Sequence, residues 1–261
     1  MYKNYKCLQI TRDAQVLTVR MNNPPLNAAT YDLHDELSHV FYDIAQDDCA
    51  AVILTGEGRC FSAGGDFDDM QRNLEDGRRL ACMMERAPHI VHSILALDTP
   101  LIAKVNGHAM GLGATLALLC DVVIMNDAAR IGDPHVNIGL SAGDGGSLLW
   151  PLLVGYARAR HHLLTGTPLT APQAEEIGLI HKAVPLDLLD AEVAAYVDTL
   201  LALPQLGVRM TKRSINLALT SQLKGLVQAH AHLEHLTLLS EDHAEAISAL
   251  RDKRPARYVN R

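Results

Sequence analysis

The chain has 261 residues, 48% hydrophobic and 20% charged, enough for one large domain or a core domain with a small appendage, and its formal net charge is −7. That charge argues against a nucleic-acid surface, and no stretch approaches the about 20 apolar residues of a membrane span: the greasiest segment, 112–125, is interrupted by Asp121. Five cysteines without a C-x-x-C pair, and an N-terminus lacking an apolar leader, point to a reduced, soluble, cytoplasmic protein.

VLTVRM (16–21) reads as a strand, and NNPPLNAA (22–29) as a turn kept from being helical by its prolines. Leu33, Leu37, Val40, Phe41 and Ile44 then recur at helical spacing over about 31–47. AAVILTG (50–56) has the length and apolarity of a strand buried on both faces. GEGRCFSAGGD (56–66) reads as a glycine-rich loop, followed by a polar stretch to about Leu80 and a helix over roughly 82–97, which Pro88 would kink or delay. LIAKVNG (101–107) is a strand, HAMGLG a glycine-rich turn, ATLALLC the start of a buried helix, and DVVIMND (121–127) another strand, with ARIGDPHVNIG irregular after it. From about Pro185 the pattern is helical, punctuated by Pro204 and Gly207. Strands alternating with helices predict an α/β core, and the helical end predicts an appended unit: a core over 1–200 and a helical region over 201–261.

Two apolar strands lead into closely spaced glycines, Gly64-Gly65 and Gly111-Leu112-Gly113. Glycine lets backbone come close to a ligand with its N–H groups turned inward, and two such groups on one carbonyl oxygen make an oxyanion hole. Neither G-x-G-x-x-G nor G-x-x-x-x-G-K follows a strand, and Ser147 sits in GDGGSLL rather than a G-x-S-x-G elbow, so a dinucleotide dehydrogenase or a serine hydrolase has little support.

CFSAGGDFDDM (60–70), TPLIAKVNGHAMGLGATLALLCDVVI (99–124), LLTGTPLTAPQAEEIGLIHKAV (163–184) and the C-terminal SEDHAEAISALRDKRPARY, in this order and spacing, resemble the crotonase (enoyl-CoA hydratase/isomerase) superfamily. The resemblance runs from about Val16 to Tyr258. It implies an α/β spiral of ββα turns with a C-terminal helical region that trimerises, often as a hexamer of two stacked trimers. It also implies an acyl-CoA thioester whose carbonyl oxygen is held by the backbone N–H groups of Gly65 and Leu112. Coenzyme A would enter as part of the substrate, with no resident cofactor, and lie along the backbone from Ala63 and Gly65 through Asp66 and Phe67 to Asp68. Lys253 falls where the family has a basic residue reaching a CoA phosphate.

The sequence departs from the family where the catalysis lies. Hydratases carry two glutamates, because adding water across a conjugated double bond needs one group to activate water and another to protonate Cα. Here those positions hold Thr115 and His135. A two-glutamate hydration is therefore not expected. His135 stands at a catalytic position, and Asp144, between glycines in GDGG, is the natural carboxylate to orient it. Asp133, two residues from His135, competes for that role. A histidine–aspartate pair is also what the crotonase-type β-diketone hydrolases use, and their C-terminal glutamate has a candidate counterpart in Glu234. The first expectation is thus a C–C hydrolase of a β-oxo acyl-CoA or β-diketone. The alternatives are an enoyl-CoA hydratase or isomerase with atypical residues, and a silent CoA-binding member. His230, His232 and His235 do not share one helix face, and no metal site is expected.

Overall fold

The computed structural model describes residues 2–261. Strand β1 (Leu8–Asp13) runs antiparallel to β2 (Val16–Met21), and helix α1 (Tyr31–Ile44) follows, capped by the Thr30 hydroxyl on the Leu33 N–H. Three ββα turns come next, each sending its first strand to one sheet and its second to another. The first is β3 (Ala51–Gly56), β4 (Cys60–Ser62), α2 (Phe67–Glu75) and α3 (Gly77–Ala96). The second is β5 (Leu101–Val105), β6 (His108–Met110) and α4 (Leu112–Leu119). The third is β7 (Val122–Asn126), β8 (Arg130–Gly132), a 3₁₀ turn (His135–Ile138) and α5 (Gly146–Thr165). Strand β9 (Leu169–Thr170), α6 (Ala171–Glu176) and β10 (Lys182–Val184) close the core, and α7 (Leu186–Leu201), α8 (Gln205–Leu223), α9 (Leu226–Leu238) and α10 (Glu241–Arg251) complete the chain.

The large sheet has the order β1-β2-β3-β5-β7-β10, parallel from β2 onward; the small one has the order β4-β6-β8-β9, with only β9 antiparallel. This is the spiral of ββα turns that the resemblance implies. Alternation along β3 and its neighbours shows how both faces of the large sheet are covered. Val52 and Leu54 join Leu101, Ala103 and Met125 in the main core, while Ala51, Ile102 and Ile124 pack against Leu189, Val193 and Val197 of α7.

Two expectations are corrected. The loop 56–66 and the glycine turn at 108–113 each conceal a three-residue strand, β4 and β6, too short to show a period. Pro88 neither delays nor ends its helix. Helix α3 begins at Gly77, where Asp76 accepts the free N–H groups of Arg78 and Arg79, and burial of Ile90, Val91 and Ile94 beyond the proline offsets the lost backbone bond. Asp121 is structural: it accepts from the Leu101 N–H and from the buried Lys212 Nζ at 2.6 Å, a pair that ties α8 to the sheet. Among the described residues no helix is long and apolar enough to cross a membrane.

Candidate active site

The two glycine turns lie side by side at the ends of β4 and β6. Gly111 has φ +51°, and a side chain there would press on the His135 ring at 3.3 Å; one on Gly64 would meet the Met110 carbonyl at 2.8 Å. Only glycine allows this approach. Just beyond each stands the expected amide. Leu112 is the first residue of α4, so its N–H has no intrahelical acceptor and lies at the positive end of the helix. Gly65 lies between two bonds to Ala29, Ala29 N–H to Gly64 O at 2.7 Å and Asp66 N–H to Ala29 O at 3.3 Å, which leave its own N–H unspent. Asp66 then caps α2 by accepting from the Asp69 N–H.

Facing the amides is a cluster drawn from three other segments. His135 opens the 3₁₀ turn after β8 and is buried; its Nδ1 bonds the Asp133 carboxylate. Its Nε2 is 3.6 Å from Asp144 Oδ2 and 4.0 Å from Glu234 Oε1. Thr115, on α4, donates its hydroxyl to the other Asp144 oxygen at 3.2 Å. The GDGG loop makes the convergence possible by close approach: a side chain on Gly143 would overlap Glu234, and one on Gly146 would overlap the Asp133 carboxylate. His243, from α10, pins the turn that carries His135 by donating Nδ1–H to Ile138 O at 2.8 Å.

The electrostatics follow from one imidazole buried among three carboxylates. Burial works against the imidazolium, but Asp133 and Asp144 outweigh it and hold His135 well above the ordinary histidine range. Asp144 is pushed up by burial first, with Asp133 adding to it and the imidazolium and Thr115 opposing. Burial and Asp144 push Glu234 up to about 8. The cluster therefore holds protons near neutral pH and can both take and give them. Asp133, His135 and Asp144 also bring one ligand atom each within 4.8 Å of the others, so a cation could sit among them.

A cavity of about 70 Å³ joins the amides to the cluster, lined by Gly65, Asp66, Leu112, His135, Asp144 and Glu234 of the expected residues. Its far wall was not anticipated: Met70, Met83 and Met84 from α2 and α3, Leu140, Leu238 and His34. Ala63 is half-buried outside this lining, Phe67 and Asp68 are exposed on α2, and Lys253 is exposed beyond α10. Thr115 is buried behind Asp144 and touches the cavity only through it. Asp133, weighed as the competing partner, is the carboxylate on Nδ1; Asp144 faces the other nitrogen instead of orienting the ring. A larger apolar cavity of about 440 Å³ lies beneath α8, far from this cluster in its lining, and its charged groups, Lys212 and Asp121, are already paired.

The enoyl-CoA hydratase/isomerase family model matches residues 11–261. The chain belongs to that family, within the crotonase superfamily. This family member is 31% identical over 259 residues to a probable enoyl-CoA hydratase of Mycobacterium bovis, covering 98% of this chain and 99% of the relative. It is 30% identical over 260 residues to the 2,3-dehydroadipyl-CoA hydratase of Escherichia coli, covering 97% and 99%. A crystal structure of an enoyl-CoA hydratase/isomerase from Mycobacterium paratuberculosis superposes with a TM-score of 0.91 at 33% identity, covering 95% of this chain and 99% of that one. The hydratase/isomerase fold is therefore this chain's fold.

Proposed function

We propose that the protein binds a CoA thioester through the Gly65 and Leu112 amides and uses the His135 cluster to add water at Cβ, cleaving the Cα–Cβ bond of a β-oxo acyl-CoA or related β-diketone. The relatives' names support the thioester, and the two unspent amides beside the cavity support its placement. The observation that carries the reaction is the cluster itself: a buried imidazole with Nδ1 on Asp133 and Nε2 turned toward Asp144 and Glu234.

Asp133 fixes the tautomer so that neutral His135 presents Nε2 as the acceptor. Water gives a proton to Nε2 and its oxygen bonds the β-carbonyl carbon, whose oxygen becomes an alkoxide. The alkoxide collapses to a carboxylic acid as the Cα–Cβ bond breaks, and the electron pair passes into the thioester enolate. The two amides stabilise that enolate oxygen. Glu234, holding a proton near neutral pH, delivers it to Cα, and the proton on His135 restores Glu234 through Asp144. The step needs water and no resident cofactor; coenzyme A is part of the substrate.

A second reading has one specific observation in its favour. The Asp144 carboxylate lies against Thr115, the position where the family's hydratases carry a glutamate, so a carboxylate reaches that place from another segment. Asp144 as base and Glu234 as acid would then hydrate an enoyl-CoA. Assaying the purified protein against crotonyl-CoA and 2-oxocyclohexanecarbonyl-CoA side by side separates the two. Ring opening with little crotonyl-CoA turnover is expected; hydration of crotonyl-CoA with an intact ring reverses the assignment.

We propose further that the chain assembles as a trimer, or a hexamer of two trimers. Leu206, Ile215 and Leu217 of α8 and Leu233 and Leu236 of α9 are exposed, a large apolar surface for a lone subunit. Light scattering at micromolar concentration should show three or six subunits, and a 28.4 kDa particle would contradict it.

A further inference from the structure

His34 lies on the buried face of α1 and lines the same cavity as His135, on a wall it shares with Met70, Met83, Met84, Asp69 and Asn73. Burial pushes its imidazole down to about 4, so it is neutral at physiological pH. Its backbone N–H serves the helix, bonding Thr30 O at 2.8 Å, but its ring makes no hydrogen bond with any described residue. The other polar groups on that wall are occupied. Asp69 accepts from Arg72, Arg79 and the Tyr31 N–H, and Asn73 accepts from Arg79 while its amide faces Met83 Sδ at 3.4 Å. An imidazole with unspent hydrogen-bonding capacity on a cavity wall is placed to bond a polar group of a ligand.

We infer that His34 is a specificity residue whose ring hydrogen-bonds an uncharged oxygen, a ketone or hydroxyl, on the acyl group beyond its β-carbon. The inference rests on the cavity being an acyl-thioester site. It makes the preferred substrate an oxygenated acyl group rather than a plain alkyl chain. The methionines fit the same role, since their flexible thioethers adapt to an acyl group of irregular outline. A cavity of about 70 Å³ suits a compact acyl group. A neutral ring can donate one N–H to a carboxylate but supplies no charge to offset its desolvation, so a buried acidic terminus fares worse there than a ketone or hydroxyl.

Titration calorimetry on the full chain with hexanoyl-CoA, 4-oxohexanoyl-CoA, 5-oxohexanoyl-CoA and adipoyl-CoA tests this. None of these has a β-oxo group, so binding is read without cleavage. At least one oxo thioester should bind about tenfold tighter than hexanoyl-CoA, and adipoyl-CoA should show no such gain. His34→Leu should erase the preference while binding hexanoyl-CoA as well as before, and His34→Gln should retain part of it. If His34→Leu does not fold, His34→Phe, which keeps the ring's bulk, takes its place. Equal binding of all four by the wild type, a preference for adipoyl-CoA, or an oxo preference that survives loss of the ring overturns the inference and leaves the thioester site standing. No binding of any thioester overturns both.

Discussion

The cavity has two walls built on opposite principles. The amide wall, Gly65 and Leu112, is backbone set by strand ends, a helix start and glycines, and it offers main-chain N–H groups rather than side chains. The acid–base wall is side chain throughout, and it draws Asp133 and His135, Asp144, and Glu234 from three places separated by up to a hundred residues. One wall can persist through changes of chemistry, while the other is where the chemistry is chosen.

Substitutions should break the two walls differently. His135→Ala removes the base and should lower turnover on the order of 10²–10⁴-fold while leaving CoA-ligand binding nearly intact, checked by steady-state kinetics and calorimetry. Gly65→Pro removes one amide donor, and a Cβ there meets only the flexible end of Met70. It should cost about 10²–10³ in turnover, and an unchanged rate would take Gly65 out of the site. Asp133→Asn should cost roughly 10²-fold or more by freeing the wrong tautomer, and Asp144→Asn should also be impaired, because it faces the nitrogen that takes the proton.

The pH profile sharpens the comparison, because only the side-chain wall titrates. His135 is held well above its ordinary range by Asp133 and Asp144, so its proton-accepting form grows only at a pH well above that of a free histidine. Glu234 must keep its proton and loses it near 8. Activity should therefore rise with pH as His135 loses its proton and fall as Glu234 loses its own, and Glu234→Gln should abolish the falling limb along with most of the rate. Stability gives an independent check. The folded pKa of Glu234 lies above its unfolded value of 4.5, so the native state holds the extra proton between those two pH values. Wild-type stability relative to Glu234→Gln should therefore decline as pH rises from about 4.5 to 8 and level off beyond, read as the difference in Tm. Thr115→Ala, which removes one hydrogen bond to Asp144, should have the smallest effect, under about tenfold.

How far the sequence could be read follows the same division. Glycines, apolar strands and the order of four motifs announce the spiral and the amide positions, because backbone geometry leaves its mark at fixed local spacing. Strands β4 and β6 escape notice because three residues carry no period, and α3 outlasts Pro88 because its packing outweighs one lost bond. In the acid–base wall His135 is marked by its mapped position, but its Nδ1 partner is decided by loop geometry: Asp133, two residues away and against Gly146, takes the place anticipated for Asp144. His34 leaves no signal at all. It occupies an ordinary helical position beside Leu33, and only the folded chain shows that it faces the cavity across from His135.

The most direct test is to run the reaction of 2-oxocyclohexanecarbonyl-CoA in ¹⁸O-labelled water and analyse the product by mass spectrometry. Water added at the β-carbonyl with C–C cleavage yields the ring-opened dicarboxylic monothioester with ¹⁸O in its free carboxyl group, formed by the wild type and lost in His135→Ala. An intact ring, or ring opening that His135→Ala carries out as fast as the wild type, contradicts the account.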